Sequence, residues 1–263
     1  MTSLLFKVPF ANYLAWPELS RSSLKEGRAS MSHLKAAWDG ERVKAPTDDM
    51  ILGSALHCAF LEPDAAAERI AVWTGGRRYG SAWNEFKFSN AGKFLLTTNA
   101  ASQLNGMMAS LRWHPEVQAW QDKIENVEVC ARGDIHGVPF KARCDALTTD
   151  PLIDLKMTND CDPRAVEKTV IAFGYDLQAY LYTELFNRDR FLLLCVEPDP
   201  PYDVVPYELS PAFIRCGKFV ASDLVNQVKW CIENNKWPGR SEQVVLLEPP
   251  PWAIPQELSE VIV

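Results

Sequence analysis

The sequence has no C-x-x-C pair, no apolar run of membrane-spanning length, no internal repeat and no low-complexity tract. Each absence removes a class of protein. The seven cysteines (Cys58, Cys130, Cys144, Cys161, Cys195, Cys216 and Cys231) are odd in number and scattered. That argues against a disulfide framework, a zinc ribbon and an iron–sulfur cluster, and leaves most of them as small core residues. A membrane span needs about 20 consecutive apolar residues, so no membrane partner is expected. The opening stretch MTSLLFKVPFANYLAW is apolar but broken by Lys7, Pro9 and Asn12, with no basic leader region and no small-residue cleavage site. It does not read as a signal peptide, and the cytoplasm is the expected compartment.

An excess of basic charge is also missing: 27 Lys and Arg stand against 34 Asp and Glu, a net charge of −7. Phosphate contacts need Lys and Arg, yet an acidic average does not exclude a local basic surface. The N-terminal third carries Lys25, Arg28, Lys35, Arg42, Lys44, Arg69, Arg77 and Arg78, while much of the acid excess lies in the C-terminal third. What is present is ordinary for a soluble globular chain: 263 residues, 47% hydrophobic and 23% charged, enough for a sizeable core.

Periodicity divides the chain. Residues 30–38 read as a helix capped by Ser30 or Ser32, 47–62 as a second helix capped by Thr47, and 97–113 as a third opened by Thr97 or Thr98. Three consecutive strands are expected over 126–134, 137–147 and 151–157. A long helix over 163–187, strands at 191–197 and 203–208, and a helix over 211–235 complete the pattern. The segment from 237 onward is rich in proline, including Pro238, Pro249, Pro250, Pro251 and Pro255, and reads as an extended surface strap. With no linker in sight, the expectation is one domain over 1–263: a helical part at about 20–113, a core at about 126–235, and the strap at 237–263. The fold class is α/β in an α+β layout, with a central mixed sheet flanked by helices.

The chemistry collects on the three-strand meander. In LIDLKM, Asp154 and Lys156 project to one face and Leu155 to the other. The plain reading is a solvated ion pair at a strand end, worth little; the functional one is a metal-ligand carboxylate beside a catalytic lysine. Asp145, at the end of the preceding strand, comes beside Asp154 if the two strands are antiparallel neighbours. Two such carboxylates repel unless a cation lies between them, and hard divalent cations prefer oxygen ligands. The alternative is that one of them caps a turn. Glu128 lies on the first strand of the meander. Phe140, Ala142 and Cys144 share one face of the second, and Lys141, Arg143 and Asp145 share the other, a set suited to a metal- and phosphate-handling cleft or to a solvated sheet face. His57 sits in the 47–62 helix and reads locally as a core histidine or a ligand. Gly53, four residues before it, hints at a close approach of another backbone. Gln178 and Tyr182 share a helix face with Tyr175. Together these are the parts of a metal nuclease, in which Lys156 would orient or deprotonate water, or stabilise charge, with a pKa lowered by burial beside a metal.

Several ordered blocks support that reading. Asp145 followed by Asp154-Leu155-Lys156 resembles the PD-(D/E)xK nuclease signature, whose core is restriction-endonuclease-like. LGSALHCAFLEP (52–63), SMSHLKAA (30–37), FKARCDAL with LIDLKMT, and GYDLQAYLY (174–182) resemble, in the same order, the blocks of the RecE-like exonucleases, the exonuclease VIII group. The last block is similar to the Gln-x-x-x-Tyr motif of the wider RecB-type nucleases. Trp-Pro-Gly at 237–239 also fits. The resemblance implies that His57, Asp145, Asp154 and the Leu155 carbonyl ligate one or two Mg²⁺ ions, with Mn²⁺ as an alternative. It implies that Lys156 is the catalytic lysine, that Glu128 is a further acid near the metals, and that Gln178 and Tyr182 support the site and the DNA end. Arg143, Ser30 and Ser32 are looser candidates for phosphate contacts. It further implies digestion of linear duplex DNA from the 5′ end, a homo-oligomeric ring, a single-strand annealing protein as partner, and a phage or prophage origin. Cys144 replaces the motif's proline, and Met157 stands where these exonucleases often have threonine, a departure that bears on a secondary hydrogen bond and not on the metal site. Two other functions stand beside this one: a different nuclease on the same fold (an endonuclease or single-strand nuclease), and a catalytically silent DNA-end-binding protein.

Overall fold

The computed structural model describes residues 2–42 and 45–254. Lys44 of the basic set and the strap from Pro255 onward lie outside the described residues.

The chain opens with four short elements that the hydropathy pattern does not announce: β1 (Ser3–Leu5), α1 (Phe10–Ala15), β2 (Leu19–Ser20) and α2 (Arg21–Glu26). Two expected helices follow. α3 (Met31–Trp38) is capped by Ser30, whose hydroxyl accepts from the His33 amide. α4 (Asp48–Leu61) is capped by Thr47 and carries Asp48 and Asp49 in its first turn, where the helix dipole favours acids. Then come α5 (Pro63–Arg69), β3 (Ile70–Trp73), α6 (Gly80–Ser89) and β4 (Phe94–Thr97), with β3 and β4 paired in parallel as a small second sheet. α7 (Thr98–Trp113) is capped by Thr97, and α8 (Pro115–Gln121) starts on proline.

The remaining elements build the core: β5 (Ile124–Ile135), β6 (Val138–Thr148), β7 (Leu152–Met157), α9 (Pro163–Phe173), α10 (Tyr175–Phe186), β8 (Phe191–Val196), β9 (Val204–Glu208) and α11 (Pro211–Asn234). The main sheet has seven strands in the order β1-β5-β6-β7-β8-β9, with β2 beside β6. β7 and β8 run parallel, as do β2 and β6, and the other pairs are antiparallel. The fold is therefore α+β, a mixed sheet flanked by helices. Each face carries its own apolar layer. On one, Phe140, Ala142, Cys144 and Leu152 pack with Leu177 and Leu181 of α10 and Leu224 and Val228 of α11. On the other, Ile153, Leu155, Leu192 and Leu194 pack with Leu56 and Phe60 of α4 and Met107 and Leu111 of α7. Burial on both faces explains why β7 and β8 read as near-continuous apolar runs. All the cysteines are buried except Cys216.

Two expectations need correction. The single helix over 163–187 is two, because Gly174 takes a left-handed conformation (φ 71°) that ends α9 and turns the chain into α10. The redirected α10 then passes close to α11: a Cβ on Gly217 would lie 2.0 Å from the Asp176 carbonyl oxygen. Gly217→Ala should therefore destabilise by about 1–3 kcal/mol through overpacking, read as a lower urea midpoint at unchanged slope. Gly53, by contrast, does not mark a close backbone approach. A Cβ there would meet nothing within 4 Å, so the residue opens onto free space one turn before His57.

Candidate active site

β5 and β6 change layers together at one step. Val127 packs in the layer of α4 and Val129 in the layer of α10; on the partner strand Ala146 and Cys144 divide the same way. The step falls on Glu128 and Asp145, the pair missing from the register between Val127↔Ala146 and Val129↔Cys144. Glu128 has φ 53°, a left-handed conformation that costs a non-glycine residue roughly 1–3 kcal/mol. The distortion aims both carboxylates at α4, where His57 waits. His57, Glu128 and Asp145 each offer a ligand atom within 4.8 Å of the others.

Asp145 ties the group together. Its Oδ2 accepts from the Leu155 amide at 2.8 Å and lies 3.3 Å from His57 Nδ1. The β6–β7 register, Ala146↔Ile153 and Leu147↔Leu152, carried one step further sets Asp145 opposite Asp154, as antiparallel neighbours require. Asp154 is buried and faces the α10 side. Its Oδ1 accepts from Gln178 Nε2 at 2.6 Å, and its Oδ2 lies against the Lys156 ammonium.

The charges respond to each other. Burial disfavours ionisation of Asp145, but His57, Lys156 and the Leu155 amide together hold the carboxyl below its usual range. Glu128 is raised by burial and by Asp145, and Asp154 by burial. Burial opposes the His57 imidazolium, yet Asp145 raises its pKa. For Lys156 burial alone would lower the pKa, but in the metal-free site Asp154 and Asp145 raise it above the ordinary lysine value, so it stands here as an ammonium.

One imidazole and two carboxylates converging on one point form a donor set suited to a hard divalent cation, with the Asp154–Lys156 ion pair beside them. The residues fit Mg²⁺ or Mn²⁺. Three acids crowded into a buried site repel in the metal-free protein, so added Mg²⁺ or Mn²⁺ should raise the melting temperature. At a metal concentration 100 times Kd the gain is about 2.7 kcal/mol. Thermal melting with metal and with chelator measures it.

The sequence-derived residues divide between this cluster and elsewhere. His57, Glu128 and Asp145 meet as potential ligands, while Asp154 turns toward Lys156 and Gln178, and the Leu155 amide serves Asp145. Arg143 ion-pairs with Glu128 and donates to the Val8 carbonyl at 2.7 Å, so the protein itself occupies much of its guanidinium. Lys141, on the same strand, spends its ammonium on the carbonyls of Tyr13, Leu14 and Trp16. Tyr182 packs in the core against Phe186 and Phe191. Ser30 and Ser32 sit together at the start of α3, where the Ser32 amide donates to the Pro238 carbonyl.

One residue of the site was not singled out from the sequence. Arg21, first in α2, donates to Gln178 Oε1 at 2.7 Å, extending a chain from Arg21 through Gln178 to Asp154. A signal existed: the spacing Ser-x-Ser-x-Leu occurs at 20–24 as well as at 30–34, and it is the earlier copy whose helix reaches Gln178.

No curated protein matches the sequence. Among solved structures, a candidate exonuclease from Eubacterium rectale shares the fold with a TM-score of 0.64 at 14% identity, over 94% of this chain and 96% of that one. A phage-related exonuclease from Haemophilus somnus aligns with a TM-score of only 0.36 at 11% identity, over 86% of this chain and 100% of that one. Residues 20–249 match the family described as "PDDEXK-like domain of unknown function (DUF3799)". With a mixed sheet that presents Asp145, Asp154 and Lys156 on adjacent strands, and with most of its length matched, this chain belongs to that PDDEXK-like family.

Proposed function

We propose that this protein is a divalent-metal-dependent deoxyribonuclease that digests linear duplex DNA from an end, in the 5′-to-3′ direction, leaving 3′ single strands for recombination. The observation that carries the reading is the convergence of His57, Glu128 and Asp145 within 4.8 Å beside the Asp154–Lys156 pair. A bound Mg²⁺ or Mn²⁺ would supply a Lewis acid that activates water and offsets charge at phosphorus. His57, Glu128 and Asp145 would hold the ion. Gln178 fixes the rotamer of Asp154, and Asp154 in turn fixes Lys156. Lys156, as an ammonium, presents positive charge where the scissile phosphate gains negative charge. The exonuclease mode, the direction, a ring of several copies, an annealing partner, and a phage or prophage setting in a bacterial cytoplasm rest on the resemblance to the RecE-like exonucleases.

A time course on linear duplex DNA labelled at the 5′ or 3′ end, beside a closed circle, tests the reading. Early loss of the 5′ label, an intact circle and no reaction in chelator are expected. Cutting of the circle would replace the exonuclease with an endonuclease. An absence of cleavage with both Mg²⁺ and Mn²⁺ would remove the nuclease activity altogether.

A further inference from the structure

Five basic residues singled out from the N-terminal third are neutralised by carboxylates: Arg28 by Asp176, Lys35 by Asp39, Arg42 by Glu26, Arg69 by Glu62 and Arg78 by Asp48. Arg77 of that set has no acid partner among the described residues, but it lies between β3 and α6, far along the chain from the catalytic lysine's neighbours. Arg21 and Lys25 are different. Among the described residues, neither has a carboxylate within ion-pair distance, and both lie on α2, one turn apart and on one face. The face leads to the catalytic lysine. The Arg21 guanidinium carbon lies 5.3 Å from the centre of the Tyr175 ring, and Lys156 Nζ lies 5.1 Å from the same ring. Lys25 rests beside Gly174, the residue before that tyrosine: a Cβ on Gly174 would be 3.8 Å from Lys25 Cδ. Arg21 Nε is buried with no hydrogen-bond acceptor.

Arg21 and Lys156 over one aromatic ring, with Lys25 one turn from Arg21, repel one another, and a buried guanidinium N–H without an acceptor is destabilising. Lys25 registers the crowding: its pKa is lowered by burial and by Arg21, with a further contribution from Arg28. An anion would reverse both penalties. Resting on the nuclease reading of the adjacent cluster, we propose that Arg21 and Lys25, with Lys156 and the face of Tyr175, form a track for backbone phosphates of the DNA strand being cleaved. Arg21 holds the phosphate nearest Lys156, and Lys25 holds the next one outward. Arg21 also positions Asp154 through Gln178, so it couples strand binding to the catalytic pair. The track gives a chain of net charge −7 a local cationic path beside the catalytic pair.

The test uses the full chain carrying Asp145→Asn, so that DNA is bound without being cut. A fluorescent linear duplex is titrated at several salt concentrations. Each phosphate contact contributes about 0.7 (single strand) to 0.9 (duplex) to the slope of log K against log salt. Lys25→Gln, exposed enough to fold normally, should weaken binding several-fold and reduce the slope by about that amount, while Lys25→Arg retains it. Arg21→Gln should do the same and, in the otherwise unmodified enzyme, also lower kcat. An unchanged slope in Lys25→Gln, with the parent still binding DNA, would overturn the track and leave the nuclease reading standing. A parent that binds no DNA at any salt concentration would overturn both.

Discussion

Asp145→Asn should abolish strand cleavage, with kcat/KM falling roughly 10³-fold or more, about 4 kcal/mol of transition-state stabilisation. The substitution is nearly isosteric, and the amide oxygen of asparagine can still accept from the Leu155 amide, so the β6–β7 junction should persist. What goes is charge. Asp145 is the group that burial fails to neutralise, because His57, Lys156 and the Leu155 amide together keep its pKa below the ordinary value, while Glu128 and Asp154 are pushed toward their neutral forms. Removing the one firmly ionised carboxylate removes the main attraction for a divalent cation. The same variant should lose most of the metal-induced rise in melting temperature. A variant that keeps full activity would place the metal elsewhere.

Lys156→Met should lower kcat by about 10²- to 10⁴-fold, with substrate binding changed far less. Methionine keeps the bulk of the side chain beside Tyr175 and deletes only the charge. Breaking a buried ion pair typically costs 3–5 kcal/mol; here Asp154 can respond by taking up a proton, since burial already raises its pKa, and that limits the loss of stability. Gln178→Ala should cost less, about 10- to 100-fold, because it frees Asp154 to rotate without removing a charge. Steady-state kinetics on all three variants should give that order, with Gln178→Ala the mildest.

The parts of this site that were legible in the sequence are those governed by local periodicity. Period-two alternation puts Asp154 and Lys156 on one face and Leu155 on the other, and the meander's short turn puts Asp145 opposite Asp154. Cap chemistry gave the start of α4 at Thr47 and narrowed two others to a pair of candidates each, of which the structure uses Ser30 and Thr97. What stayed hidden depends on conformation or on distant contacts. Nothing in the string marks Glu128 as left-handed, since glutamate has no preference for that region, so its membership in the ligand group with His57 was less evident than that of Asp145. Gly174 looked tolerable inside one long helix, yet its positive φ is what brings Tyr175 and Gln178 over the site. The short elements β1, α1, β2 and α2 carry too few residues for periodicity to register. Arg21 was missed with them, although the resemblance that pointed to Ser30 and Ser32 has a second copy around it. Arg143 and Lys141 read as free cations in one dimension and are held by Glu128 and by the α1 carbonyls in three.

The central claim is that His57, Glu128 and Asp145 hold a divalent cation with which Asp154 and Lys156 cleave phosphodiester bonds. The most direct measurement is the rate of nucleotide release from linear duplex DNA as Mg²⁺ is titrated, for the unmodified protein and for Asp145→Asn. The account expects no release in chelator, a rate that saturates with Mg²⁺, and no recovery of the variant at any Mg²⁺ concentration. Cleavage that persists in chelator, or that survives in Asp145→Asn at the unmodified rate, would contradict it.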